Sequence, residues 1–138
     1  MPSKSFLRTL IVVEIGLVIL DIVVSLLTVS LLPESLRAFS EAESQGERGL
    51  VVLRVAFPVI ILWLGSIIGL FFFWRPSRIL YLISTVLWLL PTPFFGPYVD
   101  AGWGIAIDYA AMIVSGVILA LVYFSPLKSL YERPAIDA

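Results

Sequence analysis

The sequence predicts an all-α, polytopic membrane protein: a four-transmembrane-helix bundle with a short interfacial segment between the first and second helices. Three observations predict it. Of the 138 residues, 60% are apolar and 14% charged, whereas a soluble domain carries about a quarter charged residues. The apolar residues form long segments that are hydrophobic all round, where a soluble helix shows a single stripe. Proline, glycine and charge gather between those segments. The length suits one membrane domain spanning residues 1–138.

The first apolar segment runs from about 6 to 32. At ~1.5 Å per residue it extends ~40 Å, beyond the ~30 Å of a hydrocarbon core. Lys4 and Arg8 precede it as in a signal peptide. The segment is nevertheless far longer than a signal h-region, carries two acids and has no A-x-A site before Pro33, so a retained helix is expected. Pro33 to Gly49 is polar and acidic. Pro33-Glu34-Ser35 reads as a helix start, with an acid complementing the dipole. Leu36 and Phe39 would then lie on the membrane surface in a short helix ending near Gly46 or Gly49.

The second span is expected over about 50–74 and the third over about 77–91, where Pro91 and Pro93 stop a regular helix. A third helix of that length rises only ~20–24 Å. It reads as a peripheral strut, with the Pro-rich piece 91–97 packed against protein or the bilayer locally thinned. The fourth span covers about 104–124, followed by Pro126 and a polar tail. Short-loop Lys and Arg residues set the orientation. Lys4, Arg8, Arg75, Arg78, Lys128 and Arg133 fall on one side, against Arg37, Arg48 and Arg54 on the other. The bias places both termini in the cytoplasm. It puts Trp74 and Tyr123 at the inner interface, and Trp88, Tyr98 and Trp103 at the outer one.

The chain has no cysteine and no histidine. Thiol nucleophiles, disulfides and Ser–His–Asp triads are thereby excluded, and the usual ligands of zinc, haem, iron–sulfur and copper are absent. No cofactor, no metal and no catalytic residue is expected. A net charge of −1 gives no basic field for nucleic acid.

The bilayer makes the remaining intramembrane polar residues costly, and they are the candidate site. In the first span, Glu14, Asp21, Ser25 and Thr28 follow one another by seven, four and three residues, one narrow helical stripe. Its two carboxylates lie ~10 Å apart along the axis. The stripe must face the bundle, a water-filled crevice or a partner. The second span carries Arg54, Pro58, Gly65 and Gly69 on one face. Pro58 leaves the Arg54 carbonyl without its helical partner and predicts a kink. Gly65 and Gly69 form a G-x-x-x-G that favours close packing inside the bundle over dimerisation. The fourth span aligns Gly104, Asp108, Ala111 and Ser115. Matching depths predict an Arg54–Asp108 ion pair, with Asp21 as the alternative partner of Arg54. The expected bundle packs the first, second and fourth helices around Asp21, Arg54 and Asp108.

Two functions follow from those acids. The leading expectation is a non-enzymatic inner-membrane protein, an accessory, assembly or interaction subunit whose partners are the lipid bilayer and another membrane protein or a second copy. The alternative treats Asp108, Asp21 and Glu14 as a descending series that relays protons or binds a cation, in a small carrier working as an oligomer. An enzyme would need convergent catalytic groups near an interface, and Arg75, Arg78 and Lys128 alone serve to meet anionic headgroups.

The stretch from Gly96 to Pro126, beginning G-P-Y-V-D-A-G-W and ending L-A-L-V-Y-F-S-P-L-K, resembles small bacterial four-span membrane proteins of unknown function. The hairpin F-W-R-P-S-R-I-L-Y-L at 73–82 shares that resemblance, which covers about half the chain. It implies an inner-membrane location without an activity. Glu14 in the first helix is also similar to the key acid of small multidrug-resistance transporters. The long acidic first loop, the second acid Asp21 and the lack of Gly-rich third and fourth helices depart from that family.

Overall fold

A computed structural model describes residues 3–45, 47–90 and 102–132, and all the secondary structure among them is helical. Helix α1 (Lys4–Thr28) continues into a short 3-10 turn at Val29–Leu31, and α2 (Glu34–Gln45) follows. Then come α3 (Glu47–Phe71), α4 (Ser77–Leu89), α5 (Gly102–Phe124) and the short α6 (Lys128–Glu132). Three of these, Lys4–Thr28, Leu53–Phe71 and Gly102–Phe124, are long and apolar enough to cross a membrane. Helix α4 is apolar but has only 13 residues.

Local chemistry sets the helix ends. Ser3 caps α1, its hydroxyl accepting from the Phe6 N–H at 3.2 Å and its carbonyl from Leu7, as an N-cap serine does. Pro33 supplies the carbonyl that accepts from Leu36 and Arg37 at the start of α2. Helix α3 begins earlier than the apolar run suggests and passes through Pro58 without a break. It stops at Phe71 in a Schellman turn: Trp74 N–H bonds the Gly69 carbonyl at 2.8 Å, and Phe73 N–H the Leu70 carbonyl at 3.1 Å. Phe73 occupies the left-handed position with φ 58°, where glycine is usual. Its ring is held by neighbours, stacking with Tyr131 at 5.5 Å under the cations of Lys4 and Arg8. Strain of this kind persists only where the surroundings over-determine it.

The helices form a ring. Helix α1 packs chiefly on α5 and α3 chiefly on α4, with lighter contacts of α1 on α3 and of α4 on α5. The order around the ring is therefore α1, α3, α4, α5, so α1 lies diagonal to α4 and α3 diagonal to α5. The bundle closes tightly at one end, where Leu7, Ile11, Ile67, Leu70, Tyr81, Ile118 and Val122 form a single buried cluster. Leu127 and Tyr131 complete it from below, because Pro126 and a Ser125 cap turn α6 back under the bundle. Residues after Pro126 were expected to be a polar tail. The i, i+4 spacing of Leu127 and Tyr131 makes them a small amphipathic foot instead. Towards the other end α1 leaves Leu26 and Leu27 73% and 70% exposed, while Gly104 of α5 stays buried.

The α3–α4 turn depends on Gly69. A Cβ there would lie 2.6 Å from the Ser77 Cβ and 3.3 Å from the Trp74 ring, whereas one on Gly65 would meet nothing within 4 Å. Gly69→Ala is expected to lower stability by roughly 1–3 kcal/mol, the usual cost of overpacking. Gly65→Ala should stay within about 0.5 kcal/mol of wild type, as surface changes do. Unfolding midpoints in a detergent titration check the pair, and equal effects at the two glycines would contradict the turn geometry.

Candidate functional site: a buried carboxyl at the centre of the ring

Among the described residues the most buried charged side chain is Glu14, 1% exposed. It stands seven residues after Leu7 and three after Ile11, so the periodicity that buries those two also carries the acid inward. A carboxyl in that position must find donors, since leaving it bare among apolar side chains is costly. Its Oε1 accepts hydrogen bonds from the Tyr81 hydroxyl of α4 and the Ser115 hydroxyl of α5, each at 2.5 Å. The Trp63 side chain of α3 also faces the carboxyl group. Oε2 is buried and has no hydrogen bond among the described residues.

Each donor is delivered by the same periodicity. On α4, Ser77, Tyr81 and Ser84 are the buried positions, spaced i, i+4, i+7. On α5, Ala111, Ile118 and Val122 are buried and Ser115 shares their face. Nearby hydroxyls do not compete for the acid. Ser66 bonds the Trp63 carbonyl at 2.7 Å, and Ser84 and Thr85 both bond the Tyr81 carbonyl at 2.9 Å.

Three tyrosines bridge the two halves of the ring. Tyr81 crosses the diagonal to Glu14, Tyr123 of α5 donates to the Arg78 carbonyl at 3.1 Å, and Tyr131 of α6 donates to the Leu70 carbonyl at 3.0 Å. Burial pushes the Tyr131 phenol above its ordinary pKa, against a smaller downward pull from Arg78. Its hydroxyl therefore stays a donor through the neutral range, and this contribution fades only as pH rises past the ordinary phenol value of about 10.

The structure distributes the other predicted site residues unevenly. Asp21, Ser25 and Thr28 continue the Glu14 stripe and are half-buried, with Thr28 bonding its own helix at the Val24 carbonyl. Arg54 and Asp108 are exposed. The ion pair expected between them is not among the contacts of the described residues. Helices α3 and α5 sit diagonally in the ring, with α4 and α1 between them. The expectation that α4 is a peripheral strut is corrected, because α4 supplies the tyrosine that meets Glu14. Of the two glycines, Gly69 lies against α4 and Gly65 faces outward. The Pro-rich piece 91–97, Tyr98 and Arg133 lie outside the described residues. Tyr81 went unnoticed in the sequence, although S-x-x-x-Y-x-x-S at 77–84 puts three hydroxyls on one face of an apolar helix.

Compared with protein-family models, curated proteins and solved structures, the chain matches none. The site must be judged from its own geometry.

Tyr81→Phe and Ser115→Ala should each cost about 0.5–1.5 kcal/mol, the range for hydrogen bonds between membrane helices. The double variant should lose more than the sum, because either donor alone still serves Oε1 and removing both leaves the carboxyl bare. A double-mutant cycle on unfolding free energies measures this. Strict additivity would show that the two hydroxyls do not share the acid.

Proposed function

We propose that the chain is a non-enzymatic inner-membrane protein that crosses the bilayer four times and serves as an accessory or assembly subunit. The observation that carries this reading is the engagement of Glu14 by hydroxyls of the bundle itself. An acid enclosed and hydrogen-bonded by its own neighbouring helices acts as a clasp that fixes helix register. The exposed apolar faces of the bundle leave surface for lipid and for a partner's helices. Four crossings are supported by the ring, in which α4 is a full member beside α3 and α5. Its ~20 Å rise is short for a ~30 Å hydrocarbon core, which calls for local thinning or a flanking piece packed on protein. The inner-membrane location rests on the sequence resemblance, and the cytoplasmic placement of both termini on the Lys and Arg distribution.

One observation favours a second reading. Oε2 of Glu14 is buried without a hydrogen bond among the described residues, and a carboxyl oxygen can take up a proton or a small cation. In a proton-coupled carrier Glu14 would load and release that ion.

Reconstituted vesicles distinguish the two. Under an imposed pH or sodium gradient, the clasp reading expects no flux above empty vesicles, and Glu14→Gln then lowers only stability and recovery of co-purifying membrane proteins. Gradient-driven flux that Glu14→Gln abolishes in a folded protein would replace it with the carrier. The topology has its own check, since a chain without cysteine accepts single-cysteine labelling directly. Ser3→Cys and Ser129→Cys should react only from the cytoplasmic side and Ser35→Cys only from outside. Labelling of Ser3 and Ser129 on opposite sides would reduce the crossings to an odd number.

A further inference from the structure

The light contact between α1 and α3 leaves a groove at the packed end of the bundle. It is a cavity of about 270 Å³ lined entirely by apolar side chains: Ile11, Val12 and Ile15 from α1, and Ile67, Ile68, Phe71 and Phe72 from α3. That volume falls short of the ~300–1,000 Å³ of ordinary ligand pockets. From Ile11 to Ile15 the lining follows about one helical turn, ~6 Å along the α1 axis, so the groove suits a narrow aliphatic object. Its outward rim is open, with Val12 60%, Ile68 58% and Phe72 71% exposed.

The end of this groove is positively charged. The Arg8 guanidinium lies over the Phe71 ring at 4.9 Å and over Phe73 at 5.4 Å, and Lys4 Nζ lies 5.8 Å from the Phe73 ring. Phe71 thus belongs to both the groove wall and the seat of the cation. Stacking fixes the guanidinium plane while leaving its N–H edges to donate. Neither Lys4 nor Arg8 makes a side-chain hydrogen bond or ion pair among the described residues. The nearest acid on the same helix, Glu14, is turned inward to Tyr81 and Ser115. Two cations at the mouth of a narrow apolar groove complement a molecule with an anionic head and an aliphatic tail.

We propose that the α1–α3 groove binds one anionic phospholipid, an acyl chain lying along Val12, Ile15, Ile68 and Phe71 and the phosphate between Lys4 and Arg8. The site is independent of whether Glu14 is a clasp or an ion carrier. Phosphate recognition by a stacked arginine is directional, so this lipid is retained where bulk lipid exchanges.

The test is native mass spectrometry of the full-length protein, purified in mild detergent and offered phosphatidylglycerol and phosphatidylcholine in equal amounts. Wild type is expected to keep one phosphatidylglycerol in preference to phosphatidylcholine. Lys4→Gln/Arg8→Gln should weaken that retention by roughly 30-fold, the effect of two basic residues beside anionic lipid. Val12→Trp fills the open rim without touching the buried core and should abolish retention of either lipid, at unchanged helicity. Equal retention of the two lipids by wild type overturns the proposal without recourse to any variant. So does undiminished phosphatidylglycerol binding by a folded Val12→Trp protein.

Discussion

Helices in a bilayer gain little from hiding apolar surface from one another, because the surrounding lipid is as apolar as they are. What holds them is close packing and the need to satisfy polar groups that have no water to turn to. In this chain that need concentrates on one atom. Oε1 of Glu14 takes a hydroxyl from α5, its own packing partner, and another from α4, across the diagonal of the ring. The second bond joins two helix pairs that otherwise touch only along lighter seams. Placing Glu14 in register with Tyr81 also sets the level at which Ile11, Ile67 and Ile118 meet around it. The core then follows from the polar contact as much as the contact follows from the core.

The same logic accounts for the asymmetry of the bundle. All three tyrosine bridges lie in the half containing the α1 N-terminus, as do the Gly69–Ser77 approach and the α6 foot. The other half has Asp21, Ser25 and Thr28 at half-buried positions and, among the described residues, no comparable cluster of large buried side chains. Local stability in such a structure should be graded, highest where bonds and packing coincide and lowest where buried contacts are few. The groove between α1 and α3 occurs within the tight half. It exists because each of those helices gives its main packing face to a different partner, α5 for one and α4 for the other.

The sequence made the helices legible because bilayer physics writes them in composition: uninterrupted apolar runs, prolines at the breaks and an amphipathic acidic stretch between the first two. Glu14, Ser115 and Gly69 were legible for the same reason, since an acid, a hydroxyl or a close-packing glycine stands out on an apolar helix. The partners of Glu14 were not. Periodicity gives the face of a residue on its own helix but not which helix stands opposite. Arg54 and Asp108 show the consequence, paired by expected depth in the sequence yet belonging to diagonal helices. Tyrosine is ambiguous as well. At the end of an apolar segment it reads as an interface anchor, and only the fold shows Tyr123 and Tyr131 turned to backbone carbonyls.

Short length made α4 look dispensable, and the ring shows why length misleads. A helix that reaches only part-way through a hydrocarbon layer can still occupy a full seat beside α3 and α5, provided its polar groups point inward. Ser77, Tyr81 and Ser84 do so over two turns, with most of the rest of α4 apolar and largely exposed. The hydroxyls of Ser84 and Thr85 fold onto the Tyr81 carbonyl and leave the Tyr81 phenol as the outgoing donor. Brevity and centrality are therefore compatible: α4 needs to extend only far enough to bring one phenol to the level of Glu14.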